Sequence, residues 1–309
     1  MKTRVCWALA LLACMGCNRS EPVVDDTLSK VTFSIALTQK TIPFPETKGI
    51  PPLDIPDPEI RGDESEGEPK SLTDQCSTIE YIVYEQNEAE PVRQRCYLAS
   101  ENNLDFGIIS DALPQGNYTL LFIAHNGSGG TLSDGTMRFD KVSDTFHASL
   151  ELTIEAGQVY EQDVTLYRIV SRIEFVSTDA VPEEATSFTM DVVRYPSQLN
   201  VRTGGGIVPN TDPVTFTHTF TEEEIGTTGM THGFYTFVAP ADATMDVTLT
   251  ALAETETLRT RQVNGVTPLT NRIVQYTGRL YSYSPSDDEF RITINDQWGL
   301  TDEKELPED

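Results

Sequence analysis

The sequence predicts an all-β protein of two tandem antiparallel β-sandwich domains behind a cleaved N-terminal signal. Three observations lead there. Apolar residues alternate with polar ones in many short runs, the pattern of strands that bury one face and wet the other. Helix signals are almost absent. The 309 residues exceed what one sandwich of ordinary size uses, so two domains are expected.

Taken in order, the first element is not a strand. Lys2 and Arg4 give a positive start, and "VCWALALLACMG" is an apolar run of about a dozen residues, too short for a membrane-spanning helix of roughly 20. It ends at cysteines, as bacterial lipoprotein signals do, where the thiol takes a diacylglycerol and becomes the first mature residue. Cys17 follows Gly16 and opens a polar, acidic stretch; Cys14 has Leu11 at −3 and Ala13 at −1. Cys17 is favoured, because cleavage at Cys14 leaves Met15 in a segment that is normally polar, and Cys14 is the alternative. This makes 1–16 a signal peptide. Two or three palmitate-type acyl chains hold a protein on a membrane effectively permanently.

The first strand is "VTFSIALT" (31–38), with Val31, Phe33, Ile35 and Leu37 on one face. Residues 41–75, rich in Pro, Gly and acids, cannot build a core and are expected to form a long flexible loop. Strands at 78–85 and 92–98 read as a hairpin centred on Gln86, which sets Cys76 opposite Cys96. In an exported chain that supports a disulfide contributing roughly 3 kcal/mol. Further strands are expected at 117–124, 150–156, 158–167, 168–176, 186–193, 213–220, 232–239, 244–252, 271–281 and 290–296. "TEEEIG" holds the one good helix start, a capping box of Thr221 and Glu224 stopped by Gly226 after about a turn. "NVRTGGGIVPNTDP" (200–213) reads as a second mobile loop. "AGQVYEQDVTLYRI" (156–169) faintly echoes "LTNRIVQYTGRLYS" (269–282), which suggests two related halves, 17–167 and 168–309, with almost no linker.

The formal charge is −26, and −28 once Lys2 and Arg4 leave with the signal. That excludes the concentrated Lys and Arg on which nucleic-acid binding depends. It also leaves the lipid, not charge, as the route to a membrane. The chain offers little chemistry. His125, His147, His218 and His232 lack partners at zinc-ligand spacing, and "GGG" at 204–206 lacks the lysine of a phosphate loop. "DPEIRGDESEGE" lacks the spacing of a calcium loop, and its "RGD" at 61–63 is too common to weigh. Neither a catalytic set nor a cofactor site is expected, and the protein is read as a non-enzyme. Tyr276, Tyr281 and Tyr283 are the aromatic candidates. Tyr281 and Tyr283 share a strand face and would stack on a sugar, although packing is the commoner use of strand aromatics.

Together, the lipoprotein signal, "STIEYIVYE", "LPQGNYTLLFIAHN" (113–126), "VTLYRIVSRIEFV" (164–176) and "FRITINDQW" (290–298) resemble the fimbrillin-like proteins, including the minor-fimbrium anchor lipoproteins. Leu113, Pro114, Gly116 and Tyr118 match that family's turn into a strand; Leu166, Arg168 and Ile173 match its crossing between domains. The resemblance implies tandem transthyretin-like sandwiches and a surface-exposed place on the outer membrane. It also implies a mechanism of assembly. A protease cuts after an arginine in the loop behind the first strand, that strand leaves, and a strand from another subunit, or another copy, fills the groove. Here the strand would be 31–38 and the cut would fall at Arg61. An anchor would keep both lipid and strand. The implied partners are fimbrial subunits and a host or bacterial surface ligand. The rival reading is a glycan-binding surface lipoprotein serving a nutrient-uptake complex.

Overall fold

The computed structural model describes residues 28–38 and 71–295, apart from 102–104, 128–129, 210–212, 241–242 and 286–288. The chain begins with β1 (Leu28–Thr38), a one-turn helix α1 (Leu72–Gln75), β2 (Thr78–Glu85), β3 (Arg93–Leu98) and β4 (Ile108–Pro114). There follow β5 (Gly116–His125), β6 (Thr131–Ser133), β7 (Thr136–Arg138), β8 (Thr145–Ile154) and β9 (Val159–Arg168). Beyond Ile169 come β10 (Val170–Ser177), β11 (Ala185–Val193), β12 (Gln198–Asn200), β13 (Gly206–Ile207) and β14 (Val214–Thr219). The last are β15 (Thr231–Phe237), β16 (Met245–Ala253), β17 (Thr257–Val266), β18 (Ile273–Gly278) and β19 (Arg291–Asn295).

The first half is one seven-stranded sheet, ordered β3-β2-β5-β8-β9-β1-β4 and folded over its own core. Its free ends meet through side chains: from β3, Arg95 Nη2 donates to Asp111 Oδ1 on β4 at 2.9 Å, and Arg93 lies 3.6 Å from the other oxygen. The second half splits into two four-stranded sheets, β14-β11-β16-β17 and β15-β10-β18-β19. Set side by side, the halves correspond strand for strand. β1, β2, β3, β4, β5, β8 and β9 take the places of β10, β11, β14, β15, β16, β17 and β18. The faint echo of 156–169 in 269–282 falls on β9 and β18, which hold equivalent positions.

Two strand pairs, β1–β9 and β10–β18, are parallel, the rest antiparallel. Alternation of residues along a strand reports which face is buried and is blind to direction. The helix-start segment forms hydrogen-bonded turns over 222–226 instead of a helix. Half of its expected cap survives, with Thr221 N donating to Glu224 Oε2 at 2.8 Å.

The halves are not separate beads. Ile82, Tyr84, Leu121 and Ile123, on the outer face of the first sheet, belong to the same buried cluster as Leu199, Val201 and Phe237 of the second half. A small sheet, β13-β12-β7-β6, takes two strands from each half. The expected mobile loop at 200–213 is ordered where it is described. Asn200 Oδ1 accepts from Arg202 N and Thr203 N at 3.1 Å, and Val201 is buried. Gly204 (φ +73°) lies against His147, whose Nε2 donates to Val201 O at 2.7 Å. Arg202 reaches across to stack on Tyr84 at 3.8 Å.

Candidate functional site: the seat of the first strand

β1 precedes every other described element in sequence yet lies inside the sheet. On one side it pairs antiparallel with β4, from Leu28↔Pro114 to Ser34↔Ile108. On the other it pairs parallel with β9, from Lys30↔Val159 to Thr38↔Tyr167. Alternation sends Val31, Phe33 and Ile35 inward, where they are buried among Ile79, Tyr81, Leu113, Phe122 and Leu166. Phe33 meets Phe122 edge-on at 5.2 Å and Tyr81 at 6.0 Å. Ser29 fixes the start of the strand: its Oγ donates to Glu155 O at 2.5 Å and accepts from Gln158 N at 3.1 Å. Farther along, Ile35 N donates to Gly107 O at 2.8 Å, where Gly107 (φ +99°) leaves no room for a side chain against Leu72. Among the described residues, the contacts that seat β1 come from residues after 70, far along the chain from the strand itself.

β4, one wall of the seat, is a strand the alternation missed. Its inward residues are Ile109, Asp111 and Leu113, and the charge in the middle breaks the apolar pattern. Asp111 is there for the seam: besides the arginines it accepts from Tyr81 Oη at 3.5 Å. Burial first, then this carboxylate, raises the Tyr81 hydroxyl pKa, so the phenol stays a donor. Arg93 and Arg95, alternating on an exposed strand, were the available signal for a buried acid nearby. The turn leaving β4 shows what its motif does. Leu113 is buried, and Tyr118 Oη donates back to Pro114 O at 3.1 Å while its ring covers Gly116. Tyr118→Phe is expected to cost about 1 kcal/mol in urea unfolding, one net hydrogen bond.

Arg168 closes the other wall. Its Nε and Nη2 grip both oxygens of Asp144 at 2.7 and 2.8 Å, and Nη1 donates to Asn271 Oδ1 at 3.2 Å. The guanidinium lies 4.8 Å from the centre of the Phe146 ring. One buried side chain thus ties β9 to the loop before β8 and to the loop before β18.

The other expected residues fare differently. Cys14, Cys17 and Arg61 lie outside the described residues. Cys76 and Cys96 are both free thiols, which corrects the expected bridge. The hairpin pairs Val83 with Arg93, so it is centred two residues later than Gln86, and Cys96 stands opposite Glu80. At about 3.3 Å per residue, the position opposite Cys96 is roughly 13 Å along the strand from Cys76, beyond disulfide reach. Cys76 is buried, donates to Leu72 O at 3.6 Å, and has its pKa pushed up to about 12, chiefly by burial.

Among the described residues no three His, Cys, Asp or Glu side chains gather as a metal site. The tyrosine platform is not assembled: Tyr276 and Tyr281 are buried, whereas Tyr283 is 71% exposed. Tyr281 pairs instead with His232 at 2.7 Å in an aromatic box with Phe188 and Phe220. Burial, then the neighbouring His218, pulls the His232 pKa from 6.5 to about 4. Between those values the unfolded chain binds the proton and the folded one does not. Stability is therefore fully present above pH 6.5 and declines as pH falls toward 4, by roughly 3 kcal/mol at about 1.4 kcal/mol per unit. His232→Gln is expected to lose less stability than the parent between pH 7 and pH 4.5, as read from urea midpoints.

A model of the fimbrillin-A associated anchor proteins Mfa1 and Mfa2 matches residues 60–304. Curated protein sequences give no match. Among solved structures, a Bacteroides thetaiotaomicron protein named for a proposed polysaccharide-binding role superposes with a TM-score of 0.51. The two are 9% identical over 87% of this chain and 96% of the other, a likeness of fold. The fimbrial anchor protein Mfa2 of Porphyromonas gingivalis gives a TM-score of 0.48 at 9% identity, over 87% of this chain and 97% of that one. A proposed adhesin of Bacteroides ovatus gives 0.48 at 13%, over 82% and 88%. With the match running through both halves, the chain belongs to the fimbrillin-A associated anchor protein family and is a cell-surface protein of the fimbrial anchor and adhesion type.

Proposed function

We propose that this protein is a non-enzymatic anchor, held in the outer membrane by lipid on Cys17 (Cys14 being the alternative), that secures fimbrial subunits by β-strand addition. The observation that carries the reading is the seat of β1. A first strand paired on both edges and buried through Val31, Phe33 and Ile35 makes the first sandwich complete. An anchor profits from that arrangement, because a lipid on the segment before β1 is then mechanically continuous with the fold. A polymerising subunit instead loses lipid and strand together by a cut at Arg61, which opens the groove between β4 and β9 to a strand from its neighbour. In the anchor, Arg61 stays uncut.

The test is genetic. Cells carrying Cys17→Ala together with Cys14→Ala are expected to shed their fimbriae into the medium, and Arg61→Ala is expected to leave fimbrial attachment unchanged and to alter the mature mass only by the substitution itself. Fimbriae that stay cell-bound without either cysteine would defeat the lipid-anchor reading. A mature mass that rises in Arg61→Ala would mean that the chain is processed as a subunit.

A further inference from the structure

Each half closes its open side with a seam of side chains, and the two seams differ in chemistry. In the first half β3 meets β4, where Arg95 Nη2 lies 2.9 Å from Asp111 Oδ1. In the second half β14 takes the place of β3 and β15 that of β4, and each ends its sheet. Their seam has two rungs. Phe216 of β14 stacks on Phe234 of β15 with ring centres 4.9 Å apart, and two residues along each strand His218 meets His232 at 5.3 Å. Where one half sets arginine against a carboxylate, the other sets histidine against histidine.

The surroundings decide what a proton does there. His232 is buried, stacked on Phe188 of β11 at 4.1 Å and walled by Phe220 and Tyr281. Its neighbour on β10 is Phe175, which carries no charge. The titratable groups that face it come from three other places. β14 supplies His218, and the turn after β14 supplies Glu224, whose Oε2 is 3.1 Å from His218 Nε2 and accepts from Thr221 N at 2.8 Å. The segment after β18 supplies Tyr281, its hydroxyl 2.7 Å from His232 Nε2. Beyond Tyr281 lies Asp179, whose carboxylate accepts from Leu280 N, Tyr281 N and Ser282 N at 2.8, 3.0 and 2.7 Å. On the neighbouring rung Lys141, from the first half, stands 5.0 Å from the Phe216 ring. Both carboxylates are thus engaged elsewhere, and a proton on His232 sits in an aromatic box beside a second histidine. Burial and then His218 pull its pKa down to about 4, with Glu224 offsetting them in part.

We propose that the seam between β14 and β15 is acid-labile: a proton on His232 parts the histidine rung and releases β14, baring Phe216 and Phe234. Within its sheet β14 pairs on one side alone, with β11, so the seam is its second hold. A charged imidazole is better hydrated than boxed, and the open form therefore gains population as pH falls. The first half has no such handle. Its seam is built of Arg93, Arg95 and Asp111, and arginine and aspartate side chains in general keep their charges between pH 7.5 and 5, where histidine changes its own. Acid would thus bare an aromatic strand edge in one half and leave the other half closed. The inference goes beyond the anchor reading and needs neither lipid nor processing.

The test is hydrogen exchange of the full chain in detergent at pH 7.5 and pH 5, compared as protection factors so that the pH dependence of exchange itself drops out. Protection across 214–219 is expected to fall at least tenfold, while that of 93–98 and 108–114 changes less than about threefold. In His232→Gln, which has nothing to titrate at that position, 214–219 should keep its protection within about threefold. His218→Gln removes the neighbouring charge and should show a smaller fall than the parent. An unchanged β14 in the parent, an equal fall across 93–98, or a parent-like fall in His232→Gln would overturn the proposal. If that variant does not fold, a parent-like fall in His218→Gln overturns it instead.

Discussion

Phe33→Ala lowers the stability of the protein by about 3–5 kcal/mol, the cost of emptying a large aromatic site in a close-packed core. Phe33 is the one aromatic residue of β1, and its ring meets both Tyr81 and Phe122. A domain is stable by only about 5–15 kcal/mol, so this single ring is a large share of what keeps the first strand seated. Urea unfolding measures the loss, and hydrogen exchange locates it. Amides of β1, β4 and the β1-facing edge of β9 should exchange faster than those of β2 and β5. A cost below about 1 kcal/mol would mean that the strand is not part of that core.

The second large effect is at the junction. Arg168→Met leaves Asp144 without its cation and Asn271 without its donor, and should cost about 3–5 kcal/mol, as removal of one partner from a buried ion pair does. Asp144→Leu added to it should recover part of the loss, since the stranded carboxylate is then gone and the two positions couple. The readout that distinguishes a lock from a hinge is the slope of the urea transition. If Arg168 makes the halves unfold together, Arg168→Met lowers the slope or splits the transition; a simple shift of midpoint would contradict that role.

Much of this fold was legible in the sequence, for a physical reason. The strand at 186–193 announces itself because apolar residues alternate along a half-buried pleated surface, and 78–85, buried on both faces, because it is a run of β-branched and aromatic residues. What escaped is equally instructive. β17, "TLRTRQVNGV", was missed because its ladder to β16 slips at Met245/Val247 and Ala251/Leu252, which breaks the period of two, and because Arg259 sits buried where an apolar residue is expected. β12 and β13 pair over only two residues and take their order from the other half, through Leu199↔Met137 on β7. No local pattern carries that information. The disulfide failed on register, since a turn displaced by two residues moves every cross-strand partner by four. At the candidate site the strand at 31–38 was visible, but its antiparallel neighbour β4 was hidden by Asp111. Cys14, Cys17 and Arg61 were readable only as motifs.

Anchor and polymerising subunit differ in whether the mature protein keeps its first strand. The most direct test is the intact mass and N-terminal residue of the protein taken from native cell surfaces. A lipid-modified chain beginning at Cys17, or at Cys14, is the predicted result, with β1 retained and Arg61 uncut. A lipid-free chain beginning at Gly62 would contradict it, for then the strand that completes the first sandwich is discarded and the protein is a polymerising subunit.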